Sequence, residues 1–460
     1  MNNQIDTNQL DPKLLGLDTP DPLLFAFTKK KAAHAGAKTE IISDNKKFTY
    51  LQNALQNTQV YAKNRCLYVH IPFCRVRCTF CNFFQNAAQK SMIDDYFNAL
   101  LIELKWKANQ PWTQIAPFQA VYIGGGTPTD LSPQQVFQLG NTIRNLFPLT
   151  NDCEMTLEGR INKFSEEMFD NALEGGFNRF SFGVQSFNTK VRRAAKRLDD
   201  REVVMQRLHQ LSQQNAAPIV IDLLFGLPYQ TLDIWKQDLN DFLETGVHGV
   251  DLYQLIELGG MPMVKMIENG RLPDPATSAE KALMFKAGVH FMDKHHITRL
   301  SVNHWATDKR ERSIYNSLAK TDAEVLPVGC GAGGNVGGFG LMQHRMLKEY
   351  IEEVKTHQHS LAMMTKQSAS ASTHASIKVA FDHGVLSRRK LFKTLGFDLF
   401  QYCLPLFEIW QEKGLVNIED DYLTLTLAGE FWNVTLAQNL IGALQQDERF
   451  INDSNRKKAC

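Results

Sequence analysis

From residue 66 to residue 302, short apolar runs alternate with stretches in which apolar positions recur at helical spacing, which predicts a repeating strand–helix architecture. Short apolar runs predict strands at 67–71, 120–124, 154–158, 178–184, 218–224 and 249–255. Periodic stretches between them predict helices, for example at 91–107, 132–146, 201–214 and 231–244. A further helix at 278–294 and strand at 297–302 lead to a glycine-rich stretch at 329–340. Repeated units of this kind predict an α/β fold, a partial (β/α)6 barrel with a parallel sheet.

The chain extends beyond this core at both ends. Residues 1–60 form a polar N-terminal extension, a candidate cover for a substrate site, and the barrel is expected within 61–345. A connecting helix and a linker are expected at 346–374, although its Ser- and Ala-rich part also suits the start of a polar helix. Helical patterns and a strand–turn–strand at 416–425 predict a small winged-helix-like domain at 375–460. This tail is not strongly basic, so a packing or lid role is favoured over DNA binding.

Composition excludes several classes of protein. The 460 residues exceed one typical domain, and an apolar share of 43% is ample for a large core. A net charge of +1 gives no general attraction to nucleic acid or an anionic membrane. We find no apolar run of membrane-spanning length and no signal peptide. Eight cysteines are too sparse for a disulfide scaffold, so a cytoplasmic protein is expected.

Three cysteines carry the strongest chemical signal. Cys74, Cys78 and Cys81 are spaced C-x3-C-x2-C directly after the first predicted strand. Three thiolates on one tight loop can bind three irons of a [4Fe–4S] cube, which leaves the fourth iron free to bind a small molecule. A structural zinc site requires four ligands, and His70 is the one nearby candidate for the fourth. A disulfide would leave one cysteine unpaired.

Polar or glycine residues also stand at the ends of the next strands. The second strand ends in Gly124-Gly125-Gly126-Thr127-Pro128, where glycines allow a ligand to approach the backbone closely. A tight strand–helix turn is the alternative explanation. Glu158 ends the third strand and suits a ribose hydroxyl or an ammonium group. Gln185 ends the fourth strand, and Arg197 follows it with the geometry to pair with a carboxylate. Asp222 lies inside the apolar fifth strand, where a carboxylate needs a partner.

Together these motifs resemble the oxygen-independent coproporphyrinogen III oxidase-like family of radical S-adenosylmethionine (SAM) enzymes. The resemblance covers about residues 66–340 and continues into the C-terminal module. The motifs that carry it are Tyr68-Val69-His70-Ile71-Pro72-Phe73-Cys74, the three cysteines, Gly124-Gly125-Gly126-Thr127-Pro128, Gly183-Val184-Gln185-Ser186-Phe187 and Ile221-Asp222-Leu223-Leu224-Phe225-Gly226-Leu227-Pro228.

The resemblance implies a role for each matching residue. Cys74, Cys78 and Cys81 would ligate the cluster, and SAM would chelate its open iron. Tyr68 would contact SAM near the cluster and would also be catalytic, and Phe80 would pack on the adenine. Gly125, Gly126 and Thr127 would contact the amino group of SAM. Glu158 and Gln185 would bind the ribose, Arg197 the carboxylate, and Asp222 the adenosyl part or a second SAM. The family often has a proline soon after the position of Glu158, whereas this chain has Gly159-Arg160.

Within the family, the chain is most similar to the anaerobic haem-degrading methyltransferases, the anaerobilin synthases. The stretches that carry this likeness are Asp21-Pro22-Leu23-Leu24-Phe25-Ala26-Phe27, His34-Ala35-Gly36, Asn303-His304-Trp305, Arg310-Glu311-Arg312-Ser313-Ile314-Tyr315-Asn316 and 329–338. Authentic oxidases carry an N-terminal Pro-Arg-Tyr-Thr-Ser-Tyr-Pro stretch that is absent here. Haem chaperones of the family begin almost at the first barrel strand, whereas about sixty residues precede it here.

The likeness implies ring opening of haem without oxygen. One SAM would yield an adenosyl radical, and a second SAM would supply a methyl group to a porphyrin meso carbon. A linear tetrapyrrole and free iron would result, with electrons from a reduced flavodoxin-like protein. Arg310 and Arg312 are candidates for the haem propionates, unless they form a solvated face. His304 is a candidate for iron ligation or proton donation, unless it is structural. A coproporphyrinogen oxidase and a haem-binding chaperone are the alternative functions.

Overall fold

The computed structural model describes residues 4–30, 40–59, 63–82, 86–368 and 370–446. The stretch His34-Ala35-Gly36 and the last fourteen residues of the predicted C-terminal domain lie outside these ranges. All predicted site residues lie within them.

Eighteen strands are assigned in the described ranges. They are β1 Glu40–Ile41, β2 Arg65–Ile71, β3 Phe73–Cys74, β4 Asn86–Ala87, β5 Phe118–Gly125, β6 Leu149–Gly159, β7 Arg179–Gln185, β8 Ile219–Phe225, β9 Gly249–Gln254, β10 Thr298–Arg299, β11 His304–Ala306, β12 Glu324–Val328, β13 Gly333–Val336, β14 Phe339–Met342, β15 Met363–Lys366, β16 Val385–Ser387, β17 Val416–Glu419 and β18 Tyr422–Leu425.

Eighteen α-helices connect or cover these strands in the same ranges. They are α1 Pro22–Phe25, α2 Asp44–Gln56, α3 Lys90–Ala108, α4 Pro111–Gln114, α5 Pro133–Leu146, α6 Glu166–Glu174, α7 Thr189–Ala194, α8 Arg201–Gln213, α9 Leu232–Thr245, α10 Pro262–Glu268, α11 Ser278–Lys294, α12 Ile314–Ala319, α13 Leu347–His357, α14 Ala371–Asp382, α15 Arg388–Leu395, α16 Leu399–Glu412, α17 Leu427–Phe431 and α18 Asn433–Gln446. None of these helices has both the length and the apolar composition that a membrane span requires.

The six predicted barrel strands form a parallel sheet, which confirms the expected α/β fold. The order is β2-β5-β6-β7-β8-β9, and β12 adds a seventh parallel strand beside β2. Their side chains are buried on both faces, as in β8, which explains why these strands are nearly continuous apolar runs. All six carboxyl ends meet at one edge of the sheet, where the cysteine loop also lies.

Short antiparallel strands extend this sheet at both edges, and here the structure differs from the sequence prediction. The predicted linker instead contains β15, which pairs with β14 and β1, and the start of α14. Met364 is fully buried in β15. Pairing in the sheet therefore buries an apolar side chain that an exposed linker would leave in contact with water. The predicted strand at 297–302 is reduced to two residues, β10. The glycine-rich stretch forms the hairpin β13–β14.

The C-terminal region contains the predicted hairpin, β17–β18, and β16 completes a three-stranded antiparallel sheet among helices. The N-terminal extension packs against this region. The indole N–H of Trp410 donates to the carbonyl of Leu14 (3.2 Å), and that of Trp432 donates to the carbonyl of Leu23 (3.1 Å). The extension and the C-terminal helices therefore share one apolar core.

Candidate active site

The cysteine loop follows β2 and is fixed from several sides. Cys74 and Cys78 are buried and Cys81 is half-buried. The guanidinium of Arg75 pairs with Asp130 at 2.8 Å, beyond the end of β5. The hydroxyl of Thr79 donates to the carbonyl of Ala194 (3.0 Å), at the end of α7. The loop is therefore held by the barrel rather than by its own contacts alone.

The three thiols fit the cube that the sequence predicts. All three are free of disulfides, and the hydroxyl of Thr127 donates to the sulfur of Cys74 (3.4 Å). Burial raises the pKa of Cys74, although the Thr127 hydrogen bond and Arg160 lower it. Within the described ranges, no three His, Cys, Asp or Glu side chains converge closely enough for a single ion. A cube requires no such convergence, because each thiolate binds a different iron.

The glycine run brings the end of β5 against the cysteine loop. The amide of Gly126 donates to the carbonyl of Ile71 (2.8 Å), and a Cβ at this glycine would collide with the carbonyl of Phe73. Gly125 has φ of +111°, a conformation that favours glycine. A side chain at Gly126 would therefore displace the start of the cysteine loop, and one at Gly125 would collide with the His70 ring.

Glu158 lies beneath this run at the end of β6. Burial raises the pKa of Glu158 to about 7, although the amide of Gly125 and nearby Arg197 lower it. Its Oε2 lies 2.6 Å from the position that a Cβ of Gly124 would occupy. A buried carboxyl of this kind suits a hydroxyl or ammonium partner.

Gln185, Arg197 and Phe80 are brought together at the barrel mouth. Gln185 has φ of +74° in a bulge between β7 and β8, and its amide lies against Gly183. The Arg197 guanidinium lies 5.8 Å from the ring centre of Phe80. Its Nε is buried without a hydrogen-bond partner in the described part of the chain. This orphaned donor fits a carboxylate ligand such as that of SAM.

Tyr68 lies inside the barrel, beside aromatic neighbours. Its hydroxyl is 2.9 Å from Nδ1 of His70, and its ring stacks with those of Tyr122 and Tyr315. Burial lowers the pKa of His70 to about 4, with a further contribution from Arg345. His70 is thus a neutral imidazole whose Nδ1 is occupied by the Tyr68 hydroxyl.

Asp222 faces a second carboxylate, Asp251, across the β8–β9 pair. Burial raises the pKa of Asp222 well above its usual range, and Asp251 and Glu158 raise it further. Asp251 lies 2.8 Å from His304, whereas Asp222 has no ion-pair partner among the described residues. Its raised pKa suits a positively charged or hydroxyl-bearing ligand.

His304 lies between two carboxylates in the barrel wall. Its Nδ1 is 2.8 Å from Asp251 and its Nε2 is 3.0 Å from Glu311. Burial would lower the pKa of His304, but Asp251 and Glu311 raise it to about 9. Glu311 also forms a bidentate pair with Arg179 (2.9 Å). Nε2 is hydrogen-bonded to Glu311, whereas Nδ1 lies at ion-pair distance from Asp251 without hydrogen-bond geometry. With its pKa raised to about 9 the ring keeps its proton at neutral pH, so proton donation is favoured over iron ligation.

The amino-acid sequence did not identify the partners of His304. Asp251 is a polar residue in an apolar strand, the same signal that identified Asp222. No sequence signal paired Arg179 with Glu311, since the two residues are 132 positions apart.

The placement of Arg310 and Arg312 corrects the prediction for the propionates. Arg310 contacts Asp308 and Asn215, and Arg312 contacts Asp152 at 3.2 Å. Asn215 precedes β8 and Asp152 lies near the start of β6, so both arginines lie at the amino ends of these strands. The alternative of a solvated face fits them, because both side chains are substantially exposed and already paired.

A cavity of about 1110 Å³ joins the barrel mouth to the C-terminal region. It extends from Phe80 past Asp251 and His304 to His374 and Lys378 of α14. Its volume is slightly above the range of roughly 300–1,000 Å³ that is usual for small-molecule sites. None of the described residues before Lys63 lines it, so the expected cover by residues 1–60 has no support in those positions.

The chain matches known proteins in sequence and in structure. The radical SAM superfamily matches residues 68–242. Anaerobilin synthase from Escherichia coli O157:H7 is 36% identical over 389 residues, 85% of this chain and 86% of that protein. Heme chaperone HemW from Bacillus subtilis (strain 168) is 27% identical over 372 residues, 79% of this chain and 95% of that protein. The solved coproporphyrinogen III oxidase (HemN) from Escherichia coli shares the fold, with a TM-score of 0.76, 22% identity, and coverage of 95% of this chain and 99% of that one.

Proposed function

The chain belongs to the radical SAM family that includes anaerobilin synthase, and we propose that it opens the haem macrocycle without oxygen. The products would be a methylated linear tetrapyrrole and free iron. The enzyme uses a [4Fe–4S] cluster and SAM, and we propose two SAM per turnover. We further propose a cytoplasmic location and a reduced flavodoxin-like electron donor.

The observation that carries this proposal is the continuity of the cavity. One space connects Phe80, beside the predicted SAM residues, with the charged wall at Asp251 and His304. A reactive group generated at the cysteine loop would therefore face a bound macrocycle without crossing bulk water. The size of the space suits a ligand as large as a porphyrin.

The residues at the cysteine end would bind and orient SAM. When loaded, the cluster would supply the electron that cleaves SAM reductively. The Arg197 guanidinium would bind the SAM carboxylate through its unpartnered Nε. Glu158 and Gln185 would accept and donate hydrogen bonds at the ribose, and Asp222 would bind a further positively charged or adenosyl group.

The residues of the barrel wall would hold and deliver a proton. His304 keeps a proton at neutral pH because Asp251 and Glu311 flank it. Opening a macrocycle creates basic sites on the product, and a general acid at the cavity wall would protonate them.

An anaerobic turnover assay tests the proposal. The full chain with its cluster reconstituted is mixed with SAM, haem and a low-potential reductant, while the Soret band and the products are followed. Loss of the band, with 5′-deoxyadenosine, S-adenosylhomocysteine and a methylated linear tetrapyrrole, is expected. Haem binding without SAM consumption would instead support the chaperone. Carbon dioxide from coproporphyrinogen would support the oxidase.

A further inference from the structure

Helix α14 presents two nitrogen-bearing side chains to the cavity, His374 and Lys378. They are four residues apart and therefore lie on one face of the helix. His374 is only 3% exposed, and its Nδ1 has no hydrogen-bond partner in the described ranges. Buried polar atoms are almost always paired. The orphaned nitrogen thus indicates a partner that the protein itself does not supply.

Lys378 differs from the other lysines that line the cavity. Lys63 has the carboxylate of Asp322 at 3.9 Å, and Lys320 has that of Asp382 at 2.8 Å. For Lys378, no carboxylate of the described residues lies within 4 Å. Burial lowers the pKa of Lys378, and an anion beside it would oppose that effect. Among the described residues, Lys378 is therefore the cavity lysine without a carboxylate partner, and its ammonium is available to an anionic ligand.

The barrel fixes the position of this helix. The carbonyl of Asp382 accepts from the amide of Val302 (2.8 Å), and its carboxylate pairs with Lys320. The side-chain amide of Asn433 in α18 donates to the carbonyl of Phe381 (3.4 Å). The His374 face is thus held opposite the barrel wall.

The two histidines of the cavity differ in what they offer to a metal. His304 has carboxylates on both nitrogens and carries a proton. Among the described residues His374 has no carboxylate at ion-pair distance, and burial together with Lys378 lowers its pKa. A neutral imidazole has the lone pair that iron coordination needs.

We infer that His374 is an axial ligand of the haem iron and that Lys378 pairs with a propionate of the same porphyrin. The inference rests on the proposed function, since it assumes that haem enters this cavity. It makes the C-terminal region part of the substrate site.

A titration of ferric haem into the full chain, with its cluster but without SAM or reductant, tests the iron ligand. Electron paramagnetic resonance reports the axial ligand. We expect a nitrogen-ligated signal in the wild type. His374→Ala is expected to remove it, to weaken affinity by at least the roughly 10-fold that loss of an outer-shell partner costs, and to regain the signal with added imidazole. His374→Tyr is expected to give an oxygen-ligated signal. His383→Ala, exposed at the end of the same helix, is the matched control.

The propionate contact is tested with a second ligand. Lys378→Gln is expected to weaken binding of haem about 10-fold and to leave binding of haem dimethyl ester unchanged, because the ester has no carboxylates. Exposed Lys390→Gln is the control.

The possible outcomes separate the inference from the function. A wild type that binds no haem overturns both. A wild type that binds haem, with an unchanged signal in His374→Ala and His374→Tyr, overturns the iron ligand alone. Equal losses for haem and its ester in Lys378→Gln overturn the propionate contact. If circular dichroism shows that His374→Ala does not fold, the His374→Tyr signal decides the iron ligand and the comparison with haem dimethyl ester decides the propionate contact.

Discussion

The two walls of the cavity are built in opposite ways. The barrel wall carries a chain of mutually paired charges, formed by Arg179, Glu311, His304 and Asp251. On the facing wall, the Nδ1 of His374 and the ammonium of Lys378 have no such partners in the described part of the chain. A paired chain keeps its charges whether or not a ligand is present. Unpaired groups are instead completed by the ligand, so the first wall suits chemistry and the second suits binding.

The largest expected effect distinguishes the function of the cysteine loop from that of both cavity walls. Cys78→Ala removes a cluster ligand, so SAM cleavage is expected to fall by more than the roughly 100-fold typical of outer-shell changes, while haem binding persists. Iron and sulfide analysis, 5′-deoxyadenosine formation and a haem titration check this. Cys153→Ala, a buried thiol near the start of β6, is the control. Loss of haem binding in Cys78→Ala would show that the two regions do not act separately.

The second-largest expected effect distinguishes the roles of the two cavity walls during turnover. His304→Gln retains size and polarity but cannot donate a proton as an acid, so haem loss is expected to slow roughly 10²- to 10⁴-fold. The haem-bound spectrum and SAM affinity should stay unchanged, because the facing wall is intact. Stopped-flow absorbance under anaerobic conditions measures the rate, with exposed His290→Gln as control. An unchanged rate would remove the proton-donating role.

The third effect concerns stability of the paired wall. Glu311→Gln leaves the buried Arg179 and His304 without their shared carboxylate, so a loss of roughly 3–5 kcal/mol in unfolding free energy is expected. Urea unfolding followed by tryptophan fluorescence measures it. Asp308→Asn breaks the exposed pair with Arg310, and less than about 1 kcal/mol is expected there. Equal effects of the two substitutions would contradict the contrast between a buried chain and a surface pair.

The sequence predicted the barrel and the cysteine end of the site well, because both signals are local. A strand buried on both faces is an apolar run, and the cysteines lie within eight residues of each other. Strand β15 escaped prediction, since its pairing partners β1 and β14 decide that Met363–Lys366 is extended.

The walls of the cavity were harder to predict. Glu311 meets Arg179 only because the chain returns to the barrel interior after β11, and no spacing rule encodes this. His374 is the last residue of the segment predicted as a connecting helix and linker, and only the packing of α14 against the barrel brings it to the cavity. Their charge made Arg310 and Arg312 candidates for the haem propionates, but both lie at the amino ends of the strands, opposite to the cysteine loop.

The smallest expected effect is a pH dependence of the paired wall. Against an unfolded value near 6.5, Asp251 and Glu311 raise the pKa of folded His304 to about 9. The folded chain therefore holds this proton more tightly, and the stabilisation is complete below pH 6.5 and is lost as pH rises through 9. At 1.36 kcal/mol per unit, the loss is about 3 kcal/mol.

The measurement compares wild type with His304→Gln between pH 6.5 and 9.5 by urea unfolding. The wild-type free energy of unfolding is expected to fall more steeply, by about 3 kcal/mol across that window. Glu158, with its pKa raised to about 7, titrates in both proteins and largely cancels. Glu311, with its pKa lowered to about 2 despite burial because Arg179 and His304 lie beside it, stays ionised throughout. Parallel curves for the two proteins would mean that His304 is neutral when folded, and the contrast between the walls would then rest on geometry alone.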